Sequence, residues 1–288
     1  MIIYDKEGTQ VEIEHSIDVK AAVATGKYTE EAPSKKVGRP RAVKIPIETP
    51  VAKPVEKKIE NPIENPDFVD KFKKTFIEKI QEIPKKLKID KNQQVKMIAG
   101  KDCKRANIWR NELYPQYKGT RDNKNTNVGP FFKLVYEENL LQQAGVETLL
   151  FHPKLEADDC IALMVKKLHP YDGNIYIITS DCDYLQLNAP NIYLYDLAYK
   201  KLSESKSFSG DAEYDLKLKI IMGDKSDNIS AIFPKCGPKT AKKCLEDPVL
   251  FQKKLAEPGV LEKYNLNETL VSFEKIPEEL QAEFLATL

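Results

Sequence analysis

Histidine is scarce in this chain, with three in 288 residues, and tryptophan occurs once. A metal centre built on imidazoles is therefore improbable from composition alone. The five cysteines (Cys103, Cys160, Cys182, Cys236 and Cys244) are odd in number and contain no C-x-x-C pair. That argues against a zinc site or a disulfide framework, and for reduced thiols in an intracellular compartment, cytoplasm or nucleus. No apolar run approaches the ~18 residues of a membrane span. The opening MIIYDKEG has neither a basic start nor a long apolar stretch, so no secretory signal is expected. The 41% hydrophobic content can build a core, and the net charge is only +1. That sum hides an asymmetry. From Lys71 to Lys124, 16 Lys and Arg stand against 6 Asp and Glu, whereas acidic residues gather at 156–159, 181–183 and 224–227. A basic flank beside carboxylate clusters suits a polyanion held over metal ions. A charge run by itself is equally a solvated surface.

Residues 1–28 form a small piece. MIIYDKEGTQVEIE reads as strand, turn, strand, and SIDVKAAVATGKY as a short helix capped by Ser16 and ending near Gly26. Seven prolines between Glu30 and Pro66 mark residues 29–66 as a linker. Within it Gly38-Arg39-Pro40-Arg41 resembles an AT-hook, a basic segment that enters an A·T minor groove. From Asp67 the pattern changes. Phe68, Phe72, Phe76 and Ile80 recur at a spacing of four, the stripe of an amphipathic helix that ends at Pro84. VKMIAG, VETLLF, NIYIITS and NIYLYDL read as strands. Between them, PFFKLVYEENLLQQAG and KLEADDCIALMVKKLH read as helices, the second burying Ile161, Met164, Val165 and Leu168. Alternating strands and helices predict a parallel α/β sheet with helices on both faces, and after Ser209 the chain turns helical.

HPKLEADDCIAL places Glu156, Asp158 and Asp159 inside four residues, where like charges resist joint ionisation. A helix N-terminus offsets only ~0.3–1 kcal/mol per group. Divalent cations among the carboxylates would do far more. Asp181 and Asp183 follow a strand directly, at the edge where open parallel sheets bind ligands. GDKSDNI adds Asp224 and Asp227, which alone would read as a cap or an Asx turn. Three Asp-rich clusters with almost no histidine point to hard, oxygen-ligated ions such as Mg²⁺ or Mn²⁺.

GKDCKRANIWRNELYPQYKGTR, LEADDCIA, ITSDCDYLQL and GDKSDNISAIFPKCGPKTA, in that order along the chain, resemble the motifs of the structure-specific 5′-nucleases, the flap endonucleases and 5′→3′ exonucleases. The phage and large-virus members look most similar. The resemblance covers roughly residues 67–245. It implies a PIN-like nuclease core over 67–205 with an arch region at 103–129. A helical region over 206–288 follows, carrying a helix–two-turn–helix motif at 219–245. It implies metal ligands at Asp102, Glu156, Asp158, Asp159, Asp181, Asp183 and Asp227, with Asp224 close by, holding two Mg²⁺ (or Mn²⁺) ions that activate a water and neutralise the scissile phosphodiester. Lys118 and Arg121 match the family's Y-K-x-x-R. With Arg110 upstream, they are expected to bind the scissile phosphate. Tyr117 is expected to stack on a terminal base, with ordinary packing as the alternative for Tyr114 and Tyr117. Lys104 and Arg105 are expected to touch DNA as well. Lys235, Gly237, Lys239, Thr240, Lys242 and Lys243 are expected to grip duplex backbone beside a K⁺ ion, without reading sequence.

The implied activity is removal of 5′ flaps, 5′ ends and RNA primers from DNA by a monomer in replication and repair, with RNA–DNA hybrid as a further substrate and clamp binding left open. Two departures qualify it. Family members open with a core strand ending in Asp, a ligand of the first ion. Here the proline-rich linker occupies that position, and the only candidate is Asp5 of MIIYD, where a hairpin turn is more natural. The central strand is therefore expected to be absent or replaced, which leaves a second reading as a catalytically impaired junction-binding protein. NISAIFPKCG also departs from the family's Pro-Gly after Asn-Ile.

Overall fold

The computed structural model describes residues 62–121, 129–169, 173–206 and 208–288, with the backbone of three short strands nearer the start. The helix expected over residues 16–26, most of the linker with its Gly-Arg-Pro-Arg, and part of the arch region lie outside the described residues. Two compact units are present, Met1–Lys57 and Lys58–Leu288.

In the first unit β1 (Ile2–Asp5) and β2 (Gln10–Glu12) form the expected antiparallel hairpin, with Ile3 opposite Val11. A third strand, β3 (Tyr28–Thr29), pairs with the other edge of β1, giving the order β2-β1-β3. At two residues, β3 is too short to carry a periodic signal.

The second unit opens with α1 (Pro66–Gln81), where Asn65 accepts from the Phe68 N–H at 3.3 Å and Pro66 takes a first-turn position that needs no donor. Its phenylalanine stripe meets Phe131, with ring centroids 5.8 Å from Phe68 and 4.8 Å from Phe72. A one-turn helix, α2 (Ile83–Lys86), follows, then β4 (Met97–Gly100), the single turn α3 (Arg110–Leu113) and α4 (Gly129–Glu137). The helix expected to run to Gly145 breaks at Asn139, which adopts the left-handed conformation (φ 53°). It resumes as α5 (Leu140–Gln143) before β5 (Val146–Leu150). Then come α6 (Ala157–Leu168), β6 (Ile175–Ile178), β7 (Ile192–Tyr195) and α7 (Ala212–Met222). The chain ends in α8 (Pro238–Glu246), α9 (Pro248–Leu255), α10 (Val260–Val271) and α11 (Glu278–Leu285).

The strands are parallel, as expected, but they do not form one sheet. β4 pairs with β5 and β6 with β7, and no pairing joins the two couples among the described residues. One hydrophobic core nevertheless spans both, with Leu150, Leu163, Ile177, Leu194 and Phe284 buried together. Of the predicted stripe of α6 only Val165 is buried; Ile161, Met164 and Leu168 are half-buried, and Cys160, Ala162 and Leu163 are buried in their place. Gly100 lets α6 approach β4. A Cβ there would lie 2.9 Å from the Ala157 carbonyl oxygen.

The late helices also brace the earlier ones. The buried Asn267 of α10 donates to the Ile220 and Ser230 carbonyls, at 2.9 and 3.0 Å. Gln186 donates to the Val271 carbonyl and accepts from the Phe273 N–H.

Candidate active site

Two carboxylate groups meet across one cleft of about 960 Å³. The first group sits where β4 ends and α6 begins. Asp102 Oδ1 accepts from the Ala157 N–H at 2.8 Å, so it caps α6 from the neighbouring strand. Glu156 is the N-cap residue of α6, and Asp159 in the first turn accepts from the Glu156 N–H at 3.2 Å. Glu156, Asp158 and Asp159 lie close enough together to hold one metal ion.

The second group comes from two loops. Asp181 and Asp183 follow β6 in a 3-10 turn, where Asp181 accepts from the Asp183 N–H at 2.9 Å. Asp224 and Asp227 lie in the turn after α7. Gly223, which starts this turn, has φ 70° and ψ −175°, a region essentially reserved for glycine. Seven of the eight expected acidic residues line the cleft: Asp102, Glu156, Asp158, Asp181, Asp183, Asp224 and Asp227.

Asp159 does not line it. It is fully buried, and its oxygens accept from Arg110 Nη1 (2.8 Å) and Nη2 (2.7 Å) and from Trp109 Nε1 (3.1 Å). Adjacent helix residues diverge by about 100°, so Asp158 faces the cleft while Asp159 faces the core. Arg110 departs from its expected role for the same reason. The guanidinium touches the cleft wall but is itself buried, joined to Asp159, to Glu156 Oε2 (3.1 Å) and, through Nε, to the Leu270 carbonyl (2.7 Å). Its job here is to hold carboxylates and a carbonyl, which take four of its five N–H donors. Burial works against its charge, and Asp159 outweighs burial, raising its pKa further.

Tyr117 is buried too, and so is not placed to stack on a base. Its hydroxyl lies 3.1 Å from Glu156 Oε2 and 3.2 Å from Asp227 Oδ2, bridging the two groups. Burial and the nearby Glu156 push its pKa up, so it keeps its proton and donates. Lys118 and Arg121 do reach the cleft. Lys118 Nζ pairs with Glu156, and Arg121 pairs with Asp227 and donates to the Ser226 carbonyl at 3.1 Å. Arg105 donates to the Lys118 and Arg121 carbonyls and so shapes this turn, while Lys104 is exposed nearby. The turn is sewn to the second acidic group. The Lys118 N–H donates to the Asp227 carbonyl at 2.9 Å, and Asn228 Nδ2 to the Gln116 carbonyl at 2.8 Å.

Two cleft residues were not anticipated. Lys219 of α7 donates to Asp183 Oδ2 (2.6 Å) and pairs with Asp224 Oδ2 (2.8 Å). Burial opposes ionisation of Asp224, yet hydrogen bonds from Lys219 and Ser226 draw its carboxyl down to about 2. The sequence signal was available: Lys219 stands five residues before Asp224, but in DLKLKII it reads as a solvated helix face. Phe132 of α4 is the other. It is 60% exposed on the cleft wall, where Tyr117 is buried.

Asp158 carries the clearest electrostatic stress. Burial, then Asp159 and Glu156, push its carboxyl up to about 7 from an ordinary 3.8. The folded chain then binds this proton more tightly than the unfolded chain does. Stability of the metal-free protein therefore falls as pH rises from about 4 to about 7, by at most about 4 kcal/mol, and levels off above. Melting in a chelator across this range should show the fall, and divalent ions should oppose it most at the upper end, since they bind ionised carboxylates. A melting temperature that climbs from pH 4 to 7 without metal would sink this assignment.

The helix–two-turn–helix region runs from α7 through turns at 225–228 and 234–235 into α8. Lys235, Lys239, Thr240, Lys242 and Lys243 are exposed on one stretch of surface, with Gly237 half-buried at the start of α8. None of them lines the cleft.

A parallel core with an oxygen-rich cleft at its strand ends, flanked by this helical motif, defines a PIN-type nuclease fold. The family model described as "5'-3' exonuclease, N-terminal resolvase-like domain" matches residues 72–215, half of the chain, and the chain belongs to that family. It is 31% identical over 147 residues to DNA polymerase I of Rhizobium leguminosarum, which covers 49% of this chain and 14% of the relative. It is 31% identical over 147 residues to ribonuclease H of Enterobacteria phage T4, covering 46% and 48%. The chain thus spans about half or less of the length of these curated relatives. Among solved structures, the bacteriophage T5 D15 flap endonuclease in a complex with DNA and metal ions aligns over 75% of this chain and 89% of its own, with a TM-score of 0.54 at 21% identity.

Proposed function

We propose that this protein hydrolyses phosphodiester bonds of DNA at 5′ flaps and 5′ ends, as a metal-dependent 5′→3′ exonuclease and flap endonuclease. The observation that carries the proposal is the cleft: seven carboxylates from four separate segments meet across it, with Lys118 and Arg121 beside them. The donor set consists of oxygens without histidine, which fits hard divalent ions such as Mg²⁺ or Mn²⁺. Asp102, Glu156 and Asp158 would hold one ion, and Asp181, Asp183, Asp224 and Asp227 a second. When bound, such ions supply Lewis-acid chemistry at the phosphodiester and lower the pKa of a water.

The protein's own part is positioning and charge. Lys118 and Arg121 orient the scissile phosphate, and Tyr117 keeps the two acidic groups in register. Phe132 offers an exposed ring on which a splayed base can stack. Lys235, Lys239, Lys242 and Lys243 hold the duplex backbone away from the cut, with K⁺ as the ion at that turn, and this contact weakens with salt. Similarity to a phage ribonuclease H supports RNA–DNA hybrid as a second substrate. Five free thiols, with burial raising Cys103 to about 11 and Cys160 to about 12, suit a reducing compartment.

A labelled 5′-flap duplex with Mg²⁺ tests this. Cleavage near the junction is expected, with loss in chelator and a drop of about a hundredfold or more in Asp181→Ala, the several kcal/mol that a misplaced ion costs. Flap binding without cleavage would instead assign the chain to junction binding. The division of the parallel core favours that second reading.

A further inference from the structure

β4 and β5 end side by side. Gly100 stands opposite Leu150, and the Lys101 N–H still donates to the Leu150 carbonyl at 2.9 Å. Lys101 and Phe151 are thus neighbours at the carboxyl ends of two parallel strands, the edge where such sheets bind ligands. Successive residues of an extended chain point to opposite sides. His152 is buried, with Nε2 3.1 Å from Glu283 Oε2, while Phe151 before it is 44% exposed. The Lys101 ammonium lies over two rings, 4.4 Å from the centroid of Tyr136 in α4 and 5.5 Å from that of Phe151. Among the described residues no carboxylate pairs with it. Aromatic faces hold this cation in place, and its N–H donors stay available to a ligand. One turn before Tyr136, on the same face of α4, is Phe132. Phe132 lines the cleft, and so does Asp102 next to Lys101, whereas Lys101, Tyr136 and Phe151 do not. This group therefore begins where the cleft ends.

We propose that Lys101, Tyr136 and Phe151 form a subsite for one nucleotide of single-stranded nucleic acid, next to the nucleotide whose phosphate lies in the cleft. A single exposed ring carries no message. Here the ring stands beside an ammonium that lacks an acidic partner, and both adjoin a cleft suited to a polyanion. That is the chemistry a nucleotide needs: a π face for its base and a cation for its phosphate. The base stacks on Phe151, and the Lys101 ammonium, resting on Tyr136, takes the phosphate. A paired base cannot use the site, because its neighbours in the duplex already cover its faces. Every base has such a face, so the subsite reads strandedness and not sequence. The proposal rests on the nuclease reading, which supplies the neighbouring nucleotide.

Two substrates test it, a 5′-flap duplex and the same duplex without its flap, each titrated by fluorescence anisotropy with Ca²⁺ present to neutralise the cleft. Phe151→Ala is expected to weaken binding of the flap substrate by about tenfold to a hundredfold, the loss of one stacked base, and to leave the flapless duplex unchanged. Lys101→Met acts in the same direction and lowers the salt dependence of flap binding by about one phosphate contact. 2-Aminopurine, walked along the flap from the junction, reads the stack directly. At one position its fluorescence is quenched by the parent and by Phe151→Tyr, and bright with Phe151→Leu, which keeps the apolar bulk without the ring. Flap binding equal in the parent and Phe151→Ala, with quenching retained, would overturn the subsite and leave the nuclease reading intact. An equal loss on both substrates would also overturn it, and would assign these residues to duplex contact or packing. A parent chain that binds neither substrate would overturn both readings.

Discussion

Arg110→Met destabilises the folded chain by about 3–5 kcal/mol, the cost of leaving a buried charge without its partner. Asp159 is fully buried and both of its oxygens depend on this guanidinium, with Trp109 Nε1 as the remaining side-chain donor. The same side chain also satisfies the Leu270 carbonyl and one oxygen of Glu156. Arg110→Lys rescues little. A single ammonium on a flexible stem cannot reach acceptors on three sides that a planar fork meets together. The double variant Arg110→Met/Asp159→Leu is expected to regain most of the loss, because it removes both charges at once. Urea unfolding of the three variants checks this. If Arg110→Met falls within about 1 kcal/mol of the parent, the size of an ordinary surface change, the ion pair is not what holds this region. The double variant should still bind divalent ions through Asp102, Glu156 and Asp158, whereas a ligand role for Asp159 would abolish that binding.

The second large effect is expected at Gly223. An alanine there must adopt a backbone conformation that side chains essentially never take, and its Cβ would meet the Ile229 carbonyl oxygen at 2.3 Å and Ser230 at 2.5 Å. Both obstacles are backbone, so neither can rotate away. The strain alone is worth about 1–3 kcal/mol, and relief requires the 224–229 turn to open. That turn carries Asp224 and Asp227 and is bonded to the Lys118 segment through Asp227 and Asn228. Gly223→Ala should therefore lower metal affinity and phosphate binding together, while Gly210→Ala serves as the comparison. Gly210 also has positive φ, but nothing lies near its Cβ. Calorimetric titration with Mn²⁺ on both variants measures the difference. Equal affinities would mean that the turn tolerates the displacement.

What could be read in the sequence was local and chemical. Carboxylates spaced as E-A-D-D, D-x-D and D-x-x-D, each beside a strand end or helix start, identified six of the seven acidic residues that meet in one cleft, and the seventh, Asp102, was implied only by the resemblance. The same spacing could not tell which of two adjacent aspartates turns inward. Asp158 and Asp159 differ only by one step of helix rotation, and the decision rests on Arg110, 49 residues earlier. Burial was equally hidden for Tyr117, where an aromatic in a basic run looks like a base-stacking residue until its hydroxyl is seen between two acids. Lys219 was passed over because a lysine in a helix reads as solvent-facing unless its partners are known. The strands were legible one by one. Their failure to join into a single sheet among the described residues was foreshadowed only by the proline-rich linker standing where the family opens with a core strand, since strand pairing is a relation between distant segments.

The Arg110–Leu270 bond spans 160 positions of sequence, and it sets a timetable. A chain emerging from the ribosome exposes Glu156, Asp158 and Asp159 long before Leu270 is available to complete the cage around the guanidinium. Until then the acidic turn has only part of its support, and contacts of such separation are the slow ones to form. The cleft is thus among the last parts of the molecule to become ordered during synthesis. A nascent chain halted before α10 would hold every cleft carboxylate and basic residue discussed here without the geometry that makes them a site.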